Sequence, residues 1–276
     1  YNYLELKKQI DTENLRTNSD TEIFLEFFAK YGTITFSKIR GIFAAAILDI
    51  ENNQVFIVRD QLGVKPLYYF SDSNGYYFSS EIKGLLPFYN HKLEISKPDL
   101  FEFLTNGFVY EPNTGLKNIL KVPSGKYIHI KDNKMTINKY FSLNESTSTK
   151  LPKYSIQEKI KSQLISDAPM AIFFSGGVDS SVIASVAEKE LIFANHGSPD
   201  KFRNDSRSDT LYAKDIANKL NLPFNNINLF NQNLDSDQIL KKIKSVASGI
   251  EDLCCDLTFS PSQDLSRFAK NKGFKV

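Results

Sequence analysis

Ser175-Gly176-Gly177-Val178-Asp179-Ser180-Ser181 sets the frame for the rest of the sequence. The apolar run Ala171-Ile172-Phe173-Phe174 precedes it and is long enough for a buried strand. Val182 to Lys189 follows with one apolar face and reads as a helix. The heptad therefore joins the end of a strand to the start of a helix, where unpaired backbone amides and the helix dipole favour an anion. Two adjacent glycines keep side chains away from those amides, so that a phosphate can approach. Ser175, Ser180 and Ser181 add hydroxyl donors. Asp179 is the odd member. A carboxylate beside a phosphate repels it unless a cation lies between them, which makes Asp179 the candidate holder of a Mg²⁺ ion.

A lone Gly-Gly is more often a tight turn, and serines after it more often cap a helix. The whole heptad behind an apolar strand outweighs that reading. It is not a Walker loop, because no Gly-Lys-Ser/Thr stands four residues after a glycine. The order Ser-Gly-Gly-x-Asp-Ser resembles the pyrophosphate loop of the ATP pyrophosphatase superfamily. That resemblance implies cleavage of ATP between its α and β phosphates and adenylation of an acceptor; the spacing alone shows an anion site.

The 276 residues leave room for two domains. Hydrophobic content of 41% and charged content of 24% are those of an ordinary globular protein. Residues 1–150 hold 18 basic and 17 acidic side chains, and the remainder 16 and 15. Neither half is a basic footprint, which argues against nucleic acid as a partner. No apolar run approaches the roughly 18 residues of a membrane span, so no membrane partner is expected. Cys254 and Cys255 are adjacent, and sequence neighbours rarely bridge each other; this favours a reducing compartment, the cytoplasm. The first residues, Tyr1-Asn2-Tyr3-Leu4, are no signal peptide and include no initiator methionine, and Gly273–Val276 stops where a strand is due. Both ends are expected to be cut.

Outward from the loop, the first half reads as helices followed by antiparallel strands. Residues 1–31 read as helical. Within them Ser19-Asp20-Thr21-Glu22 forms a capping box, ahead of an apolar face of Ile23, Phe24, Phe27, Phe28 and Tyr31 closed by Gly32. Asp20 at the first helical position complements the helix dipole. Ile42–Ile50 and Gln54–Arg59 read as strands about Asn52-Asn53. Leu67–Ser71 and Tyr76–Ser80 flank Asn74-Gly75, and Tyr127–Ile130 and Met135–Tyr140 flank Asp132-Asn133. Short helices are expected over Glu81–Leu86 and from Ser96. The polar stretch 142–155 reads as a linker. Beyond it, a helix carrying Ile156, Ile160 and Leu164 leads to the loop strand. Leu191–Ala194, Asp209–Leu220, Phe224–Leu229, Leu234–Ala247 and a helix opened by Ser260-Pro261 then alternate as strand and helix, which implies a parallel sheet with the loop at a carboxyl end.

This order of parts resembles glutamine-dependent asparagine synthetases. The stretches that carry the likeness are Arg16-Thr17-Asn18-Ser19-Asp20-Thr21-Glu22, Arg40-Gly41-Ile42-Phe43-Ala44, Arg59-Asp60-Gln61-Leu62-Gly63-Val64-Lys65-Pro66-Leu67-Tyr68-Tyr69, Phe78-Ser79-Ser80-Glu81-Ile82-Lys83, Pro112-Asn113-Thr114, Pro123-Ser124-Gly125 and the loop itself. The resemblance implies an α+β, Ntn-hydrolase-like glutaminase domain (class II amidotransferase) over 1–141. A linker over 142–155 and the first part of an α/β ATP pyrophosphatase domain over 156–276 follow. It implies asparagine synthesis from aspartate, glutamine and ATP, with AMP and pyrophosphate released and Mg²⁺ as cofactor. A homodimer stays open. A relative that amidates a sugar acid or closes a β-lactam ring, or a non-catalytic binding module, stays open too.

Residue by residue, the resemblance makes Asp20 the ligand of the α-amino group of glutamine, against its dipole role. It makes Ile42 a wall position of the ammonia tunnel, against plain core. Phe174 becomes a nucleotide contact and Asn195 a residue near adenine. Ser175, Gly176, Gly177, Asp179 and Ser180 become the pyrophosphate site, with Asp179 on the metal. Arg59 and Asp60 read as a scaffold ion pair. The nucleophilic amino-terminal cysteine, the glutamine-binding arginine and the Asn-Gly oxyanion pair of the family are not in this sequence, nor is its second glycine-rich nucleotide segment. A polypeptide starting at Tyr1 is therefore expected to lack glutaminase activity. Cys254 and Cys255 read as core or pocket lining.

Overall fold

The computed structural model describes residues 1–275 except 12, 14, 144–155, 196–208, 229–234 and 256–257. The chain divides into two compact units, one of Tyr1–Thr149 with Ile250–Cys255, the other of Lys150–Gly249 with Asp256–Val276.

The first unit opens with α1 (Tyr3–Lys7), α2 (Asp20–Tyr31) and α3 (Ile34–Lys38). Then come β1 (Ala44–Asp49), β2 (Gln54–Arg59), β3 (Tyr68–Asp72), β4 (Gly75–Ser79), α4 (Ile82–Leu85), a 3₁₀ turn at Leu86–Phe88, α5 (Lys97–Asn106), β5 (Leu120–Lys121), β6 (Lys126–Lys131) and β7 (Lys134–Lys139). One antiparallel sheet runs β1-β2-β6-β7 and another β4-β3-β5. Alternation along β2 decides how they are covered. Phe56 and Val58 point to one side and join Phe28 and Phe36 of α2 and α3. Ile57 points to the other and packs with Ile128, Leu67 and Tyr69. On β3 the same rule sends Tyr68 and Phe70 away from Tyr69, onto Ile82 and Leu85 of α4. The unit is thus four layers, helix, sheet, sheet, helix, with β2 and β3 buried on both faces and the edge strands β1 and β7 largely exposed on one.

The turns explain the register. Asp132 and Asn133 both adopt positive φ, 49° and 57°, as the two-residue hairpin between β6 and β7 requires. In the β3–β4 hairpin Asp72 pairs with Gly75, so the turn residues are Ser73 and Asn74, one position ahead of the Asn-Gly expected from sequence. Asp72 Oδ1 accepts the amides of both Asn74 and Gly75, which fixes that shift. The N-terminal reading is corrected: the described residues between α1 and α2 are not helical, and α3 and β5 carried no signal. The capping box is half made. Ser19 Oγ accepts from Thr21 N–H at 3.2 Å, but Glu22 turns to the amides of Arg16 and Thr17 at 2.8 and 2.7 Å instead of to Ser19.

The second unit holds α6 (Ile156–Gln163), β8 (Ala171–Phe173), α7 (Val178–Ala187), β9 (Glu190–Asn195), α8 (Asp209–Lys219), β10 (Phe224–Asn228), α9 (Ser236–Ala247) and α10 (Phe259–Asn271). Its described strands form a parallel sheet, β10-β9-β8. Phe174, Leu191 and Phe193 bury against Ala184 of α7 and Ala213 and Ala217 of α8, small residues that let the helices lie close to the strands. The expected face of α6 is not buried; Ile156 is exposed. Most of the sequence-expected linker lies outside the described residues.

Candidate nucleotide and glutamine sites

The loop Ser175–Ser181 lies between β8 and α7, and the helix starts inside it. Gly177 is the N-cap and Val178 the first helical residue, four residues earlier than the apolar pattern suggested. The first intrahelical bond runs from Ser181 N–H to Gly177 O, 3.0 Å. The amides of Val178, Asp179 and Ser180 precede that bond and have no partner among the described residues, with the positive end of the α7 dipole behind them. The hydroxyls of Ser175 and Ser180 meet at 3.0 Å, and Ser175 Oγ also accepts the Gly177 amide at 3.3 Å. Ser181 donates to Gly177 O at 2.8 Å, which ties the turn to the helix. Ser175, Gly177 and Asp179 are exposed.

The two glycines have different causes. Gly176 is buried at φ 78°, and a Cβ there would stand 3.0 Å from both Cα and Cβ of Ala213 on α8. Packing and backbone geometry demand a glycine. Gly177 has φ −68°, and a Cβ would meet nothing nearer than Ser175 Oγ at 3.4 Å. Nothing in the protein itself excludes a side chain there.

Phe174 is buried at the end of the strand, with its ring edge-on to Phe224 and its amide donating to Ile192 O. Its side chain is committed to the core. Asn195 ends β9 in register with Asn228 of β10. The Asp179 carboxylate is exposed in the first turn of α7 and has no hydrogen-bond partner among the described residues. No group of three or more His, Cys, Asp or Glu that could hold a metal occurs among those residues. One free carboxylate is the donor set of a Mg²⁺ that keeps most of its waters and takes its remaining ligands from phosphates, so the site fits such an ion.

In the first unit, Asp20 opens α2 as its first residue, exposed, and accepts the Thr21 hydroxyl at 3.3 Å. Its charge acts on the Tyr1 amino group. Burial lowers the pKa of that ammonium, Asp20 opposes the shift, and the net direction is down. The ammonium donates to Arg40 O at 2.8 Å, and the neighbouring Asn2 bridges Lys38 O and Arg40 N–H. Residues 38–40 are thereby held against the first residues of the chain. A Cβ on Gly41 would stand 3.2 Å from the Tyr1 nitrogen. Ile42 is half exposed.

Arg59 and Asp60 are both buried, but not as a pair. Arg59 binds Glu111 at 2.8 Å and the carbonyls of Lys65, Val122 and Gly63. Asp60 accepts the amides of Leu62, Val64 and Lys65. Each stitches the 60–65 turn separately, because the guanidinium and the carboxylate find more donors and acceptors in the turn backbone than in each other. Glu111, far off in sequence, carried no signal of this role. Cys254 and Cys255 are free and exposed, contrary to the expectation of core or pocket lining; their backbone, not their thiols, is engaged.

The family described as "Glutamine amidotransferase domain" matches residues 1–141, just over half of the chain. This chain belongs to the asparagine-synthetase-type glutamine amidotransferases. The family described as "Asparagine synthase" matches residues 153–276. Similar proteins include asparagine synthetase [glutamine-hydrolyzing] 1 of Bacillus subtilis, 35% identical over 68% of this chain and 31% of that protein. A putative asparagine synthetase [glutamine-hydrolyzing] 2 of Methanocaldococcus jannaschii is 33% identical over 67% and 38%. Asparagine synthetase B of Escherichia coli is 28% identical over 68% and 31%. The matched region thus spans about a third of each relative's length. No helix among the described residues is long and apolar enough to cross a membrane.

Proposed function

We propose that this chain belongs to an enzyme that makes asparagine from aspartate with glutamine as nitrogen donor and ATP as activator. Its second unit binds ATP at the start of α7. The unpartnered amides of Val178, Asp179 and Ser180 and the hydroxyls of Ser175 and Ser180 receive the β and γ phosphates. The aspartate side-chain carboxylate attacks the α phosphorus, giving an aspartyl-adenylate and releasing pyrophosphate. Ammonia then attacks the activated carbonyl and AMP leaves. A Mg²⁺ held by Asp179 supplies charge neutralisation for the departing pyrophosphate. Asn195 lies toward adenine and the Phe174 backbone toward the nucleotide. In the first unit Asp20 takes the α-ammonium of glutamine, and Ile42 lines the path of the released ammonia. A 276-residue polypeptide starting at Tyr1 has no amino-terminal thiol and releases no ammonia from glutamine by itself. The two cysteines are sequence neighbours, which rarely bridge each other; this favours a reducing compartment, the cytoplasm, as the location of the protein.

The observation that carries the reading is Gly177: the fold tolerates a side chain there, so the glycine answers to a ligand that must touch the backbone. The test is ATP affinity by calorimetry, with and without Mg²⁺. Gly177→Val should bind under neither condition. Asp179→Asn should keep the metal-free affinity and lose only the magnesium increment. A full increment in Asp179→Asn removes Asp179 from the metal. Undiminished binding by Gly177→Val overturns the site.

A further inference from the structure

Between α9 and α10 the chain leaves the second unit and contributes six residues, Ile250–Cys255, to the first. All the contacts of these six described here are with first-unit residues. Glu251 Oε2 accepts the amides of Ile82 at 2.6 Å and Lys83 at 3.3 Å, and Lys83 Nζ binds Glu251 Oε1 at 2.7 Å. The N-cap of α4, Glu81, makes no side-chain cap bond, so Glu251 caps that helix from 169 residues away. Asp252 faces two groups that the layered core has buried: Tyr68, whose hydroxyl donates to Oδ1 at 2.8 Å, and Lys121, whose ammonium lies 3.1 Å from Oδ2. The Tyr68 phenol is pushed well above its ordinary value, first by burial and then by the Asp252 charge. Leu253 lies over Gly115, where a Cβ would come to 2.3 Å of its side chain. Cys255 N–H donates to Gly107 O at 2.8 Å, and Cys254 bridges Phe108.

The docking is concentrated in two acids and one short backbone bridge. Release would leave Lys121 buried without this carboxylate and the first amides of α4 without an acceptor. Each contact therefore depends on the others. We propose that Ile250–Cys255 is a strap that docks on and releases from the first unit as one piece, and that its state is felt at the end of α9 and the start of α10, to which it is covalently joined. This goes beyond the synthetase reading and does not depend on it.

Amide hydrogen exchange on the full 276-residue chain tests it. In Asp252→Asn the carboxylate facing Lys121 becomes a neutral amide. The amides of Cys255, Ile82 and Lys83 should exchange at least tenfold faster, all three together. Those of Ser248, Gly249 and Ser262, which close α9 and open α10, should quicken with them. The β2–β6 ladder should exchange as in the parent. Lys121→Met, which removes the buried charge itself, should release the strap in the same way. Faster exchange at Cys255 without Ile82 and Lys83 would show that the segment is not one piece. No change at Ser248, Gly249 and Ser262 would show a passive strut. Loss of the β2–β6 ladder in both variants would make the segment part of the fold rather than a strap. Each of these three outcomes overturns the proposal.

Discussion

Gly176 and Gly177 stand next to each other and look alike in sequence, yet one serves the fold and the other is spare within it. An alanine at position 176 would sit at a left-handed φ and press on Ala213 from 3.0 Å. The backbone penalty is about 1–2 kcal/mol and the overpacking another 1–3 kcal/mol. Gly176→Ala should therefore lower the stability of the second unit by about 2–5 kcal/mol in denaturant unfolding followed on that unit. Gly177→Ala should cost no more than about 1 kcal/mol, the difference between glycine and alanine at an N-cap, while weakening nucleotide binding. Equal destabilisation by the two would mean that the loop is only a turn. The sequence pattern makes an anion site legible here, because strand, Gly-Gly, serines and helix are all local. It cannot separate the glycines, since the neighbour that decides is Ala213, brought in by α8. The same holds for Phe174: its apolar character is plain in sequence, but the burial that commits its ring to the core comes from Phe224 on another strand.

At the scale of elements, the legible features are those whose cause lies within about ten residues. The Asp132-Asn133 hairpin and the Ser96 cap of α5 are of this kind. β5 and α3 are not, because two and five residues carry too little pattern to be read. The turn after β2 shows the limit. Its Arg-Asp pair suggests a mutual ion bridge, but the guanidinium goes to Glu111. Glu111 also accepts the Ser124 amide and hydroxyl at 3.0 and 2.6 Å. Burial pushes the Glu111 pKa up, but the Ser124 hydrogen bonds and the charges of Arg59 and Lys121 outweigh it, and the net direction is down from 4.5. A carboxylate depressed in the fold contributes stability above its unfolded pKa and loses it as pH falls through the folded value. The first unit should thus lose stability below about pH 4.5, and Glu111→Gln should flatten that acid limb. At neutral pH the same variant leaves the buried Arg59 without its carboxylate. A cost of about 3 kcal/mol is expected, the low end for breaking a buried pair, because Glu111 is itself about one-third exposed. Urea unfolding at pH 7 and pH 4 measures both effects. A variant with an unchanged acid limb would assign it to other carboxylates.

For the molecule as a whole, the sequence makes the anion site legible, because its motif lies in one stretch, whereas the glutamine side rests on stretches scattered over residues 16–125 and is read through a resemblance. The six residues that pass from one unit to the other are not legible, since Glu251 and Asp252 read as ordinary surface acids until the fold sets them against α4, Tyr68 and Lys121. The division of labour has a consequence for Asp20. Its local reading is a dipole partner at the first turn of α2, worth about 0.3–1 kcal/mol. Its functional reading is the acceptor of the α-ammonium of glutamine. The two readings separate in a longer enzyme that carries the amino-terminal thiol. If Asp20 binds glutamine, Asp20→Asn loses one charge-assisted pair with the substrate, worth about 1.5–3 kcal/mol, or roughly ten- to a hundredfold in glutamine KM. Ammonia-dependent synthesis bypasses that contact and should proceed at the parent rate. If Asp20 serves only the helix, the variant loses a little stability and both nitrogen sources suffer alike or not at all. The measurement is the rate of asparagine formation against glutamine and against ammonium, under the same ATP and aspartate, together with the melting temperature. A raised glutamine KM with unchanged ammonia turnover assigns Asp20 to the substrate. A parallel fall in both activities assigns it to the start of α2.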